Sequence, residues 1–218
     1  MDPPARWETH LLDEYEFRFR PPGEEEEVSL RVKQIPSTEF LGHSVWDVGI
    51  WSCNYVQRDV ALRRAFASHA RVLELGAGCG LLGIVAGCYG ARVTATDLEG
   101  VMPLLRANID AHEALVRQHG GSIVSETLEW GPGPAMPFDV VLGADLVYYE
   151  ENVEPLVATL LRVCTEKTIV LLAHENRQPA VQRQALAALS PHFRYNKLDM
   201  KKEGGENFEA YFLKRKRS

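Results

Sequence analysis

Apolar and polar positions divide the chain into two unlike parts. Over residues 15–20 aromatic and charged side chains alternate (YEFRFR), and a second alternation covers residues 28–35 (VSLRVKQI). Period-two patterning marks a strand with one buried face. Pro21, Pro22, Gly23 and the acidic run from Glu24 to Glu27 stand between the two, so this region predicts a β-hairpin around a solvated loop. Residues 42–58 carry Trp46, Trp51 and Tyr55 and lead to a helical stretch that ends before Arg71.

From Arg71 onward short apolar runs alternate with helical patterns. Strands are predicted at 71–75, 92–96, 122–127, 138–142 and 168–173, with helices at 80–89, 100–118, 152–165 and 178–189. Two further strands, 193–198 and 209–214, are joined by a polar loop at 201–207 and read as an antiparallel pair at one edge. Apolar strands alternating with helices form βαβ units, in which helices cover both faces of a mostly parallel sheet. The expected fold is Rossmann-like α/β with seven sheet strands, residues 1–60 forming an N-terminal extension with the hairpin and residues 61–218 the main domain.

Composition narrows the function classes. A chain of 218 residues suits one sizeable α/β domain. The formal net charge of -6 gives no overall basic field, which argues against nucleic acid as the partner. Cys53, Cys79, Cys88 and Cys164 form neither a CxxC pair nor a metal-ligand spacing, and for the two in apolar helical stretches a buried small apolar side chain is the simpler reading. With no apolar leader pattern at the N-terminus, a reducing, cytoplasmic setting is expected. No apolar run approaches the roughly 20 residues of a membrane span. Lys214 to Arg217 could serve as a nuclear signal, although a solvated chain end explains them as well. A monomer is expected, since no apolar interface stripe stands out.

Ligands of open α/β sheets bind beyond the carboxyl ends of the strands. The first sheet strand runs into Glu74-Leu75-Gly76-Ala77-Gly78-Cys79-Gly80, and the second ends at Asp97, 21 residues past Gly76. Glycines allow close backbone approach, the following helix N-terminus offers free N–H groups, and a carboxylate at Asp97 suits a ribose. Gly78, Gly80 and Gly83 satisfy the G-x-G-x-x-G dinucleotide pattern, while Glu74, Gly76, Gly78 and Gly80 satisfy the E-x-G-x-G-x-G loop of methyltransferases. Glycines that merely let helix and strand pack closely are a third reading. The fourth strand leads into Ala144-Asp145-Leu146-Val147-Tyr148-Tyr149, which adds a carboxylate and two phenols at the same edge. No segment offers the separate substrate domain that a dehydrogenase usually needs.

Taken together, Glu74–Gly80, Asp97 and the D-x-x-Y of Asp145 and Tyr148 resemble the family-16 seven-β-strand protein-lysine methyltransferases. Val45-Trp46-Asp47 and Leu128-Glu129-Trp130 add to the resemblance, which covers the chain from about Tyr15 to its end. Residues 145–151 are most similar to the members that act on valosin-containing protein, then to those that act on Hsp70. The resemblance implies S-adenosylmethionine as cofactor, with Gly76 and Gly78 beneath it and Asp97 on its ribose. Glu74 is implied near its methionine end, Trp130 against its adenine, Trp46 as the closing side chain and Ala144 as the floor. Asp145 is implied as the acceptor for the target ammonium and Tyr148 as the group shaping the channel. Tyr149 could line the channel or simply pack, and His174 could line the pocket or simply end a strand.

A lysine is protonated near neutrality, with a reference pKa of about 10.4, so it must lose a proton before its nitrogen can attack. The chemistry needs no metal. The implied partner is a protein substrate of the AAA ATPase or Hsp70 chaperone type. Methylation of a small molecule or another side chain, NAD-dependent oxidoreduction and a cofactor-binding interaction module are the alternatives.

Overall fold

The computed structural model describes residues 11–35, 41–200 and 208–217. Strands β1 (Glu14–Phe19) and β2 (Val28–Lys33) pair antiparallel as the expected hairpin. The ladder stops at Lys33, and the Ile35 N–H donates instead to the His43 carbonyl (3.0 Å). Helix α1 (Asp47–Val56) follows, then α2 (Val60–Ala67), whose N-cap Asp59 accepts from the Leu62 N–H at 2.9 Å. A carboxylate at this position satisfies one of the free donors of the first turn.

The main domain then runs β3 (Arg71–Leu75), α3 (Leu81–Cys88), β4 (Arg92–Asp97), α4 (Met102–Gln118), β5 (Ser122–Thr127) and β6 (Val140–Ala144). It continues with α5 (Val153–Val163), β7 (Ile169–Glu175), α6 (Pro179–Leu189), β8 (Phe193–Lys197) and β9 (Phe208–Arg215). The sheet order is β5-β4-β3-β6-β7-β9-β8. Pairing is parallel from β5 to β7, while β9 lies antiparallel between β7 and β8. This is the expected seven-stranded, mostly parallel sheet. The polar loop at 201–207 falls outside the described residues.

The fourth strand sits two residues later than its apolar run suggests. Phe138 is buried, but its N–H donates to the Val163 carbonyl at the end of α5 (2.9 Å), so pairing with β3 begins at Val140 opposite Val72. Side chains alternate across β3. Val72 joins the core on the α3 and α4 side with Ile84 and Leu105, whereas Leu73 and Leu75 face Leu156 and Leu160 of α5. Phe17, Phe19, Leu30 and Val32 of the hairpin belong to the first of these cores.

The chain steps outward from β3 to β4 and β5, then crosses back to lay β6 on the other side of β3. This reversal opens a crevice at the carboxyl ends of β3 and β6, the usual ligand position in such sheets. Among the described residues, no helix is long and apolar enough to cross a membrane.

Candidate active site

The crevice holds a cleft of about 540 Å³ whose walls include Gly76, Asp97, Trp130, Asp145, Tyr148 and Tyr149. A smaller recess of about 70 Å³ is lined by Trp46, Glu74, Gly76, Gly78, Ala144 and Tyr148. Leu41, Gly42, Gly76 and Tyr148 are common to both. Each residue that the family resemblance implies for catalysis or cofactor contact therefore lines one of these adjoining spaces.

Close backbone contact shapes the glycine loop. Gly78 has φ +56°, and a Cβ there would stand 2.9 Å from the Gly42 carbonyl oxygen. Both facts require glycine: the left-handed conformation disfavours other residues, and the obstacle is backbone. Residues 41–42, ahead of α1, thus lie directly on the loop. The Gly78 N–H donates to Asp97 Oδ2 and the Leu98 N–H donates to Asp97 Oδ1, both at 2.8 Å. Burial raises the Asp97 carboxyl above its ordinary value, against the pull of these two N–H groups and of His43.

Glu74 is buried on β3, and its Oε2 has no hydrogen-bond partner among the described residues. Burial pushes its carboxyl up to about 8; the Gly83 N–H in the first turn of α3 pulls it down and the charge of Asp97 adds to the rise. The sequence suggests a carboxylate acting through the loop, and burial in the structure raises that carboxyl well above the ordinary carboxylate range.

Asp145 follows β6 with φ +59°, a conformation that aspartate tolerates better than most residues and that often marks a functional turn. Its N–H donates to the Ala173 carbonyl (2.7 Å), and its Oδ1 accepts from the Glu175 N–H (3.3 Å). Its Oδ2 pairs with the guanidinium of Arg177. Burial raises the Asp145 carboxyl, while the Arg177 charge holds it down. Tyr148 is pushed well above the ordinary phenol range by burial and by the Asp145 charge, so its hydroxyl remains protonated. Trp46 donates from Nε1 to the Leu41 carbonyl (2.8 Å) and lies under the Arg177 guanidinium, 4.6 Å from ring centroid to carbon. The turn after Trp130 is fixed by α5: Thr159 Oγ1 accepts from the Gly131 N–H (2.8 Å) and Arg162 Nη1 donates to the Gly131 carbonyl (3.1 Å).

Of the two side chains whose roles the sequence leaves open, one reaches the cleft and one does not. Tyr149 is 56% exposed at the rim of the cleft. His174 lies outside the cleft, stacked on Tyr211 and 3.6 Å from Glu209, with burial lowering its pKa. Three of the terminal basic side chains are engaged. Arg215 donates to the Leu161 and Cys164 carbonyls, Lys216 to the Ser190 carbonyl, and Arg217 pairs with Glu166.

Two residues in contact with the site's framework carry no signal that the sequence reading uses. Arg177 lies 32 positions from Asp145, and no local pattern links them. Asn108 of α4 is buried and donates to the Lys33 and Cys79 carbonyls (3.0 Å each) while accepting from the Lys33 N–H (2.8 Å). It ties hairpin, α4 and glycine loop together. A signal for it existed: a polar residue on the apolar face formed by Leu104, Leu105 and Ile109.

Comparison with known proteins agrees with this geometry. A family 16 methyltransferase profile described as lysine methyltransferase matches residues 24–188. Protein N-lysine methyltransferase METTL21A of Danio rerio is 37% identical over 133 residues, 59% of this chain and 58% of that protein. The same-named protein of Xenopus tropicalis is 34% identical, covering 68% of this chain and 67% of its own. EEF1A lysine methyltransferase 3 of Xenopus tropicalis is 31% identical over 62% of this chain and 58% of its own length. The chain thus spans about three fifths of several curated relatives.

Among solved structures, a TehB-like S-adenosylmethionine-dependent methyltransferase of Corynebacterium glutamicum superposes with TM-score 0.53 at 19% identity, covering 76% of this chain and 98% of that one. The glycopeptide N-methyltransferase MtfA bound to S-adenosylmethionine gives 0.55 at 15% identity, covering 71% and 92%. These two establish the shared fold. With the profile spanning most of its length, the chain belongs to the family 16 lysine methyltransferases.

Proposed function

We propose that the protein is an S-adenosylmethionine-dependent protein-lysine N-methyltransferase whose target is a chaperone-type ATPase, of the Hsp70 or the valosin-containing AAA class. The observation that carries this reading is the meeting of the glycine loop, Asp97 and the Asp145–Tyr148 pair around one cleft. The residues fit the cofactor. Glu74 offers a buried, partnerless carboxyl oxygen to an ammonium group, and Gly78 leaves backbone exposed where a Cβ would collide. Asp97 would hold the ribose, Trp130 would cover the adenine, Gly76 and Ala144 would floor the site, and Trp46 would close it.

S-adenosylmethionine supplies an electrophilic methyl group on a sulfonium, so the protein needs to contribute little covalent chemistry. Its work is alignment and exclusion of water. Asp145 accepts the hydrogen bond of the incoming lysine nitrogen, and the Tyr148 hydroxyl, held neutral, orients it from the same turn. The preference for chaperone-type ATPases rests on residues 145–151, and the names of the relatives support lysine in another protein as the substrate class. A cytoplasmic, monomeric enzyme is the accompanying expectation.

Incubating the purified protein with methyl-labelled S-adenosylmethionine and a cell extract tests the reading. One labelled band of chaperone or AAA ATPase size supports it. Label confined to small molecules, or recovered nowhere, overturns it.

A further inference from the structure

Arg177 stands two residues beyond β7 and touches three parts of the site at once. Its guanidinium pairs with Asp145, its Nε is 3.4 Å from Glu175 Oε2, and its face lies 4.6 Å from the Trp46 ring centre. Trp46 in turn donates to the Leu41 carbonyl, in the segment that walls the cofactor cleft. The Asp145 side chain is almost wholly buried, whereas that of Arg177 is 38% exposed. The titratable groups around Asp145 are Tyr148 and Tyr149 on its own loop, Glu175 at the end of β7 and Arg177 after it, with Asp97 of β4 acting on Tyr148. The strong cation of this set is Arg177.

An unaccompanied buried carboxylate would oppose the reaction in two ways. Burial favours its neutral form, which accepts poorly from an ammonium; and once ionised, it stabilises the target lysine as the ammonium, whereas transfer needs the amine. A guanidinium fixed on the same carboxylate opposes both effects. Its charge keeps the acid ionised, and its positive field makes a nearby ammonium easier to deprotonate.

We propose that Arg177 is a positioning residue for methyl transfer, holding Asp145 ionised and aligned while its charge eases loss of the proton from the target lysine. This rests on the reading of the site as a lysine methyltransferase. The proton passes to solvent at the cleft mouth, and the freed lone pair then forms the nitrogen–carbon bond as the carbon–sulfur bond breaks. The stack on Trp46 keeps the guanidinium in place and links it to the segment over the cofactor.

Two measurements on the full chain test the proposal. In the first, carboxyl-13C-labelled aspartate is followed by NMR against pH, with the Asp145 resonance assigned by its loss in Asp145→Asn. In Arg177→Met the Asp145 titration is expected at least about one pH unit higher than in the parent, and Arg177→Lys recovers most of that shift. In the second, the acidic limb of kcat/KM is expected to move upward by a similar amount in Arg177→Met, so that activity on the acidic side of that limb falls about tenfold and recovers above it, one unit being a factor of ten. An unmoved Asp145 titration overturns the proposal, as does an equal loss of activity at every pH. A lower substrate KM with an unshifted limb also overturns it, because Arg177 is then a plug that the target lysine displaces. Failure of the parent protein to methylate any lysine overturns the proposed function itself, and the NMR titration, which needs no substrate, tells that failure apart.

Discussion

Glu74 makes the stability of the protein depend on pH in a way that one substitution isolates. Its carboxyl is wholly buried and pushed from an ordinary 4.5 up to about 8. The folded protein keeps this proton up to about pH 8, whereas the unfolded chain releases it near 4.5. Between these values the folded state binds more protons, so the contribution of Glu74 is fully present below 4.5 and is lost as pH rises toward 8. At about 1.36 kcal/mol per unit, the full window is worth on the order of 5 kcal/mol. Glu74→Gln keeps the shape and removes the titration. Urea unfolding of the variant and the parent, repeated from pH 5 to pH 8, is expected to show the difference moving in favour of glutamine by about 4 kcal/mol. A difference that stays flat would mean that the carboxyl is ionised throughout and would refute the reasoning. Saturating S-adenosylmethionine, whose ammonium is expected at Glu74, should flatten the parent's dependence.

Asp97→Ala removes charge-assisted hydrogen bonds to the expected ribose, so calorimetry should show cofactor binding weakened by about 1–3 kcal/mol; unchanged affinity would place the ribose elsewhere. Asn108→Ala breaks three hydrogen bonds and leaves the Lys33 and Cys79 groups unpaired, which should cost about 2–4 kcal/mol by thermal unfolding and speed hydrogen exchange at Lys33. An unshifted melting curve would show that the hairpin is held by its apolar side chains alone. Asp145→Ala should abolish methyl transfer while leaving cofactor affinity nearly intact, and surviving transfer would remove the assigned role.

How much was legible in the sequence depends on the range of the forces involved. The strands at 71–75 and 122–127 were read to the residue, because their ends are set locally by glycine and turn chemistry. The 138–142 strand was misplaced by two residues because Phe138 is buried without joining the ladder, its N–H going to α5. The insertion of β9 between β7 and β8 depends on which edge the last strand finds, and no pattern in residues 208–215 encodes that. At the site, the glycine loop and Asp97 announce themselves by spacing within one βαβ unit. The partner of Asp145 does not, since Arg177 reaches it only when β6 and β7 lie side by side. The raised pKa of Glu74 is equally hidden, being a consequence of burial against α3.

The destination of the methyl group decides the function. After incubation with methyl-labelled S-adenosylmethionine and a protein extract, the labelled protein should be hydrolysed to amino acids and its label chromatographed. Recovery is expected as methylated lysine, with none formed by the Asp145→Ala variant. Label recovered on another amino acid, or equal methyl-lysine formation by both proteins, would contradict it.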